Sequence, residues 1–312
     1  MVRKNTKEKK SMKKLTTVLV VLIMATMLFA QGESDGNYKI QLITMDQMDQ
    51  HWVNMDKGAK QAAEELGNVT YSWNAPAVKD DAQQIECVNN AVAQGVDAIL
   101  IAANGPDAIT ASLKEADAAG VKIIYVDSGA NYPYEAYYAT DNKAAGTTAG
   151  NELLGQLTAK GITSGTIGVI STNPASLSTL LREEGFAIAF AGTDFQILPT
   201  QYCDGDAQRS KDAAANFITQ GVVGLFGANE GSTVGVGNAI HESGTDVVGV
   251  GFDKSDMILQ LVKNGYLYCT MAQNPDVMGY EGVMAAAKVL AGETISPKDV
   301  DTGVSVLTAD KI

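Results

Sequence analysis

Two apolar runs in this chain end in a carboxylate. VVGVGFDKSD, residues 247–256, carries Val247, Val248 and Val250 into Asp253, and VKIIYVDSGA, residues 121–130, carries Ile123 through Val126 into Asp127. An acid at the end of a buried strand has two uses. It caps the following helix, contributing ~1 kcal/mol, or it accepts hydrogen bonds from a ligand bound beyond the strand's carboxyl end. Each acid alone fits both readings. Residues placed in the same way after other strand-like runs are Asp49, His51 and Trp52 after the first, then Asn173, Asn229 and Gln273, with Arg182 at the start of a following helix. Carboxylates accept from vicinal hydroxyls, Arg and amides donate or bridge, and an indole stacks on C–H faces. Together the set fits a polyhydroxylated ligand, although His51 and Trp52 singly also fit packing roles.

The elements that must position these residues alternate along the chain. YKIQLITM, VTYSWNA, AILIAA and VKIIYVD read as strands, separated by helical periodicity over 53–66, DDAQQIECVNNAVAQ and DAITASLKEADAA. Continuous β-branched runs between amphipathic helices predict a parallel sheet covered on both faces. EAYYATDN breaks the rhythm, which then restarts: helix 151–160, strand TIGVIS, helix 179–191, strand FQILPTQ, helix DAQRSKDAAANFITQ, strand VGLFGA, helix EGSTVGVGNAIHE, strand DVVGVGF, helix 256–263, strand YCTMAQ and helix 276–291. The fold class is therefore α/β, with two doubly wound parallel-sheet lobes divided near Thr140–Asp141.

The 312 residues suffice for two domains of ordinary size, and 46% hydrophobic against 19% charged residues supports packed cores rather than disorder. Residues 1–32 read as a signal peptide: Lys13 and Lys14 precede an apolar run from Leu15 to Ala30, with cleavage near residues 30–32. Met12 offers an alternative start, and an uncleaved anchor is the competing reading. Without residues 1–32 the chain loses seven basic residues and one acid, leaving 16 basic and 35 acidic, a net charge of −19. Such a surface repels nucleic acid. Cys87, Cys203 and Cys269 have no metal-ligand spacing and read as buried thiols. No cofactor motif is present: GVVGLFGANEG lacks both the G-x-G-x-x-G spacing and a following Lys-Ser/Thr. With His51 and His241 as the chain's two histidines, no nucleophile–histidine pairing is visible, and the reading is a non-enzyme with no catalytic residue, no cofactor and no metal.

HWVNMDKGAKQAAEELG, GVDAILIAANGPDAI, IYVDSGA, LREEGF, GANEGSTVGV, VVGVGFD and MAQNPDVMGYEGV, in this order, resemble the type I periplasmic solute-binding proteins of sugar ABC transporters, the ribose- and galactose-binding group. The resemblance runs from Tyr38 to the end. It implies a periplasmic binding protein-like I fold with a three-crossover hinge near Thr140–Asp141, Gln273–Asn274 and 297–300. One lobe would hold residues 33–140 and 274–298, the other 141–273 and 299–312. It also implies a periplasmic, monomeric receptor that closes on a monosaccharide or polyol and delivers it to an ABC permease with its ATPase, with a chemoreceptor as a further partner class. An amino sugar, a furanose-like signal or a nucleoside is the alternative ligand. A lactose-repressor-type regulator shares the core but needs a DNA-binding head where the leader stands. By matching motif positions, Asp49, Trp52, Asp127, Arg182, Asn229, Asp253 and Gln273 would contact ligand. The chain departs from the pattern at three places. His51 stands where an aromatic is usual, Ser128 where the ribose binders have Arg, and Gly205 where a second stacking aromatic is common. The third opens one wall, with Tyr202 the aromatic placed to fill it, and the three together point away from ribose itself.

Overall fold

The computed structural model describes residues 37–312; the leader expected over 1–32 lies outside the described residues. The first sheet takes β1 (Tyr38–Ile43), β2 (Val69–Asn74), β3 (Ala98–Ile101), β4 (Lys122–Val126) and β5 (Ala136–Ala139), with α1 (Gln50–Leu66), α2 (Asp81–Ala93) and α3 (Thr110–Ala118) between them. The chain then runs through α4 (Asn142–Ala159) into a second sheet of β6 (Ser164–Ser171), β7 (Asp194–Ile197), β8 (Gln201–Tyr202), β9 (Gly224–Gly227), β10 (Val248–Phe252) and β11 (Cys269–Gln273). Helices α5 (Leu177–Ala189), α6 (Ala207–Thr219), α7 (Glu230–Ser243) and α8 (Asp256–Lys263) lie among these strands, and α9 (Pro275–Leu290), β12 (Asp299–Asp301) and β13 (Val304–Thr308) follow.

The first sheet has the order β12-β5-β4-β3-β1-β2 and the second β13-β11-β10-β9-β6-β7, with β8 on β6. The pairings are parallel except β11 with β13. In each sheet the strand order reverses beside the first strand, β1 or β6, which is where such sheets open a ligand crevice.

Period-two alternation explains how short strands fill two cores at once. Ile99, Ile101, Ile123 and Tyr125 enter the cluster on one face of the first sheet; Leu100, Ile124 and Val126 enter the cluster on the other. Each such side chain contributes ~1.5–3 kcal/mol when fully buried, and Leu100→Ala would cost about 2–5 kcal/mol through the hole it leaves. All three cysteines are buried thiols.

The segments between the lobes set the hinge. Helix α9 follows β11 of the second sheet, yet its Met278, Val283, Ala285 and Ala286 pack in the first lobe's core. Helices α1 and α9 approach closely enough that a Cβ at Gly58 would lie 1.9 Å from the Asp276 carbonyl oxygen. Strand β13 pairs with β11 of the second sheet. The boundary expected between 298 and 299 needs correction: Val300 pairs with Tyr138, and Thr302 N–H donates to the Ala139 carbonyl at 2.8 Å. The third crossover therefore lies between Asp301 and Val304. Two local expectations also change. EAYYATDN holds β5, and FQILPTQ splits into β7 and β8 around Pro199, which has no N–H to donate to a ladder.

Candidate functional site

Asp127 and Asp253 hold equivalent places, each the first residue after a strand and each with a left-handed backbone, φ 59° and 76°. Non-glycine residues rarely adopt this conformation, and where they do it clusters at ligand sites. The capping role is not what either acid does. Ser255, not Asp253, accepts at the start of α8, and Asp127 lies far ahead of the next helix. Their amides are tied down instead: Asp127 N–H donates to the Tyr138 carbonyl and Asp253 N–H to the Met271 carbonyl, both at 2.9 Å. Strand pairing thus fixes the backbone from which each carboxylate reaches the cavity.

Between them stands His51. Helix α1 begins at Gln50, three residues earlier than the periodicity suggested, so His51 and Trp52 sit in its first turn rather than in a loop. His51 Nε2 is 3.0 Å from Asp127 Oδ1 on its own lobe, and Nδ1 is 3.3 Å from Asp253 Oδ1 on the other. Burial alone would lower the imidazole's pKa. The charge of Asp253 and the contacts with both carboxylates outweigh burial and raise it to about 10, so the ring is cationic at neutral pH. Burial likewise would lift Asp253, but His51, the Arg182 charge and the Gln273 hydrogen bond hold it down at about 2.

Arg182 and Gln273 form the second lobe's polar floor. Arg182 donates from Nε to Asn142 Oδ1 at 2.8 Å, from Nη1 to the Ala228 carbonyl at 2.9 Å and from Nη2 to Gln273 Oε1 at 2.8 Å. Its guanidinium lies 4.2 Å over the Phe252 ring. Gln273 also accepts from Thr140 Oγ1 at 2.9 Å, which ties the site to the hinge.

Asp49 occupies the N-cap position of α1 but makes no capping bond; its carboxylate accepts from Lys79 Nζ at 2.9 Å. The cap comes from the other lobe: Glu230, the first residue of α7, accepts from the backbone N–H groups of Gln50 and His51, each at 2.9 Å. Burial and the negative charges of Asp49 and Asp253 raise the Glu230 carboxyl to about 7 despite those two donors. Asn229 caps α7 through Oδ1, while its Nδ2 and the Trp52 indole Nε1 are buried with no hydrogen-bond partner. Trp52 packs in the core and lines the cavity, its ring edge-on to His51 at 4.7 Å.

Eight of the ten residues singled out in the sequence thus line one cavity between the lobes: Asp49, His51, Trp52, Asp127, Arg182, Asn229, Asp253 and Gln273. Asn173 and Ser128 do not line it. Asn173 Oδ1 accepts from the Ala175 and Ser176 amides and its Nδ2 reaches Asn104 Oδ1 across the cleft at 3.4 Å. Ser128 is fully buried behind Asp127. Lys79, Asp46 and Glu230 were missed. Lys79, 5% exposed, pairs closely with Asp46 as well as Asp49. Burial would lower its pKa, and the two acids raise it instead. The open wall at Gly205 is filled by this lysine and not by Tyr202: a Cβ at Gly205 would lie 2.9 Å from Lys79 Nζ, whereas Tyr202 is exposed and bonds Glu183. Applying the end-of-strand rule to β2 would have found Lys79.

Two parallel-sheet lobes, three crossovers and a polar cleft at the strand ends define a hinged binding protein of type I. The chain belongs to the periplasmic binding protein domain family, whose pattern matches residues 40–294. It is 28% identical over 295 residues to the ribose import binding protein RbsB of Salmonella typhimurium, covering 92% of this chain and 96% of that one. Among solved structures, it resembles an ABC transporter solute-binding protein from Agrobacterium vitis with bound D-fucose (31% identity, TM-score 0.83, 88% of this chain and 99% of that one). It is also similar to a carbohydrate transporter solute-binding protein from Agrobacterium radiobacter in complex with D-arabinose (30%, 0.84, 89% and 96%).

Proposed function

We propose that the chain is an extracytoplasmic receptor that closes around a monosaccharide or polyol and hands it to an ABC importer. The observation that carries this reading is the facing pair Asp127 and Asp253, one from each lobe, aimed into a shared cleft by strained backbone. A ligand that donates to both carboxylates is fully bound only when the lobes are shut, so binding drives closure. The buried, unpartnered N–H groups of Trp52 and Asn229 support the same reading, since such groups call for a partner and hydroxyl oxygens accept. The sugars named with the solved relatives support the ligand class.

Delivery to a permease with its ATPase, action as a monomer in the periplasm, and presentation of the closed form to a chemoreceptor belong to this reading. The chain is a receptor rather than an enzyme. A second ligand class, an amino sugar or another cation, is favoured by one observation: burial raises the pKa of two carboxyl groups beside the cleft, Asp49 and Glu230, and a cationic ligand would stabilise their charged forms.

A thermal-shift panel on residues 33–312 against neutral monosaccharides, polyols, amino sugars and nucleosides tests the reading. At a hundred times its dissociation constant, a ligand adds ~2.7 kcal/mol of stability. A shift with one neutral sugar or polyol and not its epimers is expected. A shift confined to nucleosides, or none at all, would overturn the sugar reading.

A further inference from the structure

We propose that His51 is an internal competitor of the ligand: its ring holds the place between Asp127 and Asp253, and the receptor selects ligands able to take over both carboxylates at once. This rests on the receptor reading above and names what sets specificity within it.

The geometry carries the inference. The ring reaches Asp127 at 3.0 Å and Asp253 at 3.3 Å, so one side chain links the two lobes. The backbone N–H of His51 is fixed by Glu230, leaving the side-chain torsions as its freedom. With the ring in this position the cavity it shares with Asp49, Trp52, Arg182 and Asn229 is about 30 Å³. Small-molecule sites run to ~300–1,000 Å³. The two ring nitrogens already occupy Oδ1 of Asp127 and Oδ1 of Asp253, so a ligand that donates to those same oxygens takes the ring's place, and it enters by exchange.

The exchange sets a chemical condition. Both ring nitrogens of an imidazolium donate, so its replacement must donate in two directions, through two hydroxyls on one face or an ammonium beside a hydroxyl. A ligand with a donor for one acid alone leaves the other carboxylate buried without the donor that the imidazolium supplied. The charged groups around the ring are Asp127 from β4, Asp253 from β10, Glu230 from α7 against its backbone, Arg182 from α5 toward Asp253, and Asp49 paired with Lys79 beside α1. Once displaced from both carboxylates, the imidazole returns toward its ordinary pKa of ~6.5.

The test is proton release measured by calorimetry in buffers of different ionisation enthalpy, at pH 8, on the mature chain dialysed free of ligand and titrated with the panel's best sugar. Imidazole NMR is read in parallel on wild type, His51→Phe and His51→Gln; with two histidines in the chain, the His51 signal is identified by its loss. The expected result is a ring that stays charged to about pH 10 before ligand is added and titrates near ~6.5 at saturation. Wild type should then release about one proton per sugar, and neither variant any. Binding with no proton release, or equal release from the variants, overturns the competition and leaves the receptor reading intact. If no sugar on the panel binds, the sugar reading fails and the competition with it.

Discussion

Gln273 donates through Nε2 to Asp253 Oδ1 at 2.6 Å, while its own oxygen accepts from Thr140 at the first crossover and Arg182 on α5. One amide at the end of β11 therefore joins a ligand-facing acid to the hinge. Closure and carboxylate placement are mechanically linked through it.

Gln273→Ala removes both ends of that link. Each hydrogen bond to a charged group is worth ~1.5–3 kcal/mol, and here Asp253 and Arg182 both lose a partner. Sugar affinity should fall by tenfold or more with Arg182 and Asp253 still present. Titration calorimetry checks this; an unchanged dissociation constant would detach the hinge from the site.

Glu230 predicts a pH dependence near neutrality. Its folded pKa, about 7, lies above the reference 4.5. A raised value means its contribution to stability is complete below 4.5 and is lost as pH rises through 7. Relative to Glu230→Gln, which does not titrate, the wild type should lose up to roughly 3 kcal/mol between pH 4.5 and 8. Urea unfolding of both proteins across that range measures the difference; a constant offset would mean Glu230 is ionised without penalty.

His51 acts over a different window. Its pKa rises from 6.5 to about 10, so its stabilisation is complete below 6.5 and is lost as pH climbs through 10. The stability difference between wild type and His51→Gln should shrink between pH 7 and 10.5. Denaturation at the two pH values decides it, and a difference that does not change would show that the ring is neutral throughout.

Much of this arrangement was legible in local sequence. Asp127 and Asp253 were found because a buried strand is continuous and apolar and its last turn of chain must face a cleft. The positions of β1, β3, β4 and β10 follow from the same runs. What was hidden depends on partners distant in sequence. Glu230 caps α1 from about 180 residues away, a signal absent from the local sequence, and the helix start was read late. Lys79 was not singled out; it follows β2, while the acids it pairs with, Asp46 and Asp49, follow β1. β5 is a short strand whose Tyr137 and Tyr138 pair with β4 on one side and β12 on the other, and neither pairing leaves a local period.

Gly146 predicts a packing effect on the site. A Cβ there would stand 2.2 Å from the carbonyl oxygen of Arg182, so Gly146→Ala must push α5 away from α4. The helix-propensity gain of ~1 kcal/mol is smaller than the ~1–3 kcal/mol or more of overpacking against backbone. The melting temperature should fall by several degrees, with weakened sugar binding as Arg182 shifts. Equal or higher thermal stability would mean the helices separate freely.

The most direct measurement of the central claim is titration calorimetry of residues 33–312 with the sugar that gives the largest thermal shift, run beside Asp253→Ala. One site per chain is expected in the wild type, with affinity weakened at least tenfold in the variant. Equal affinity in the two proteins would contradict it, because the ligand would then lie somewhere other than between Asp127 and Asp253.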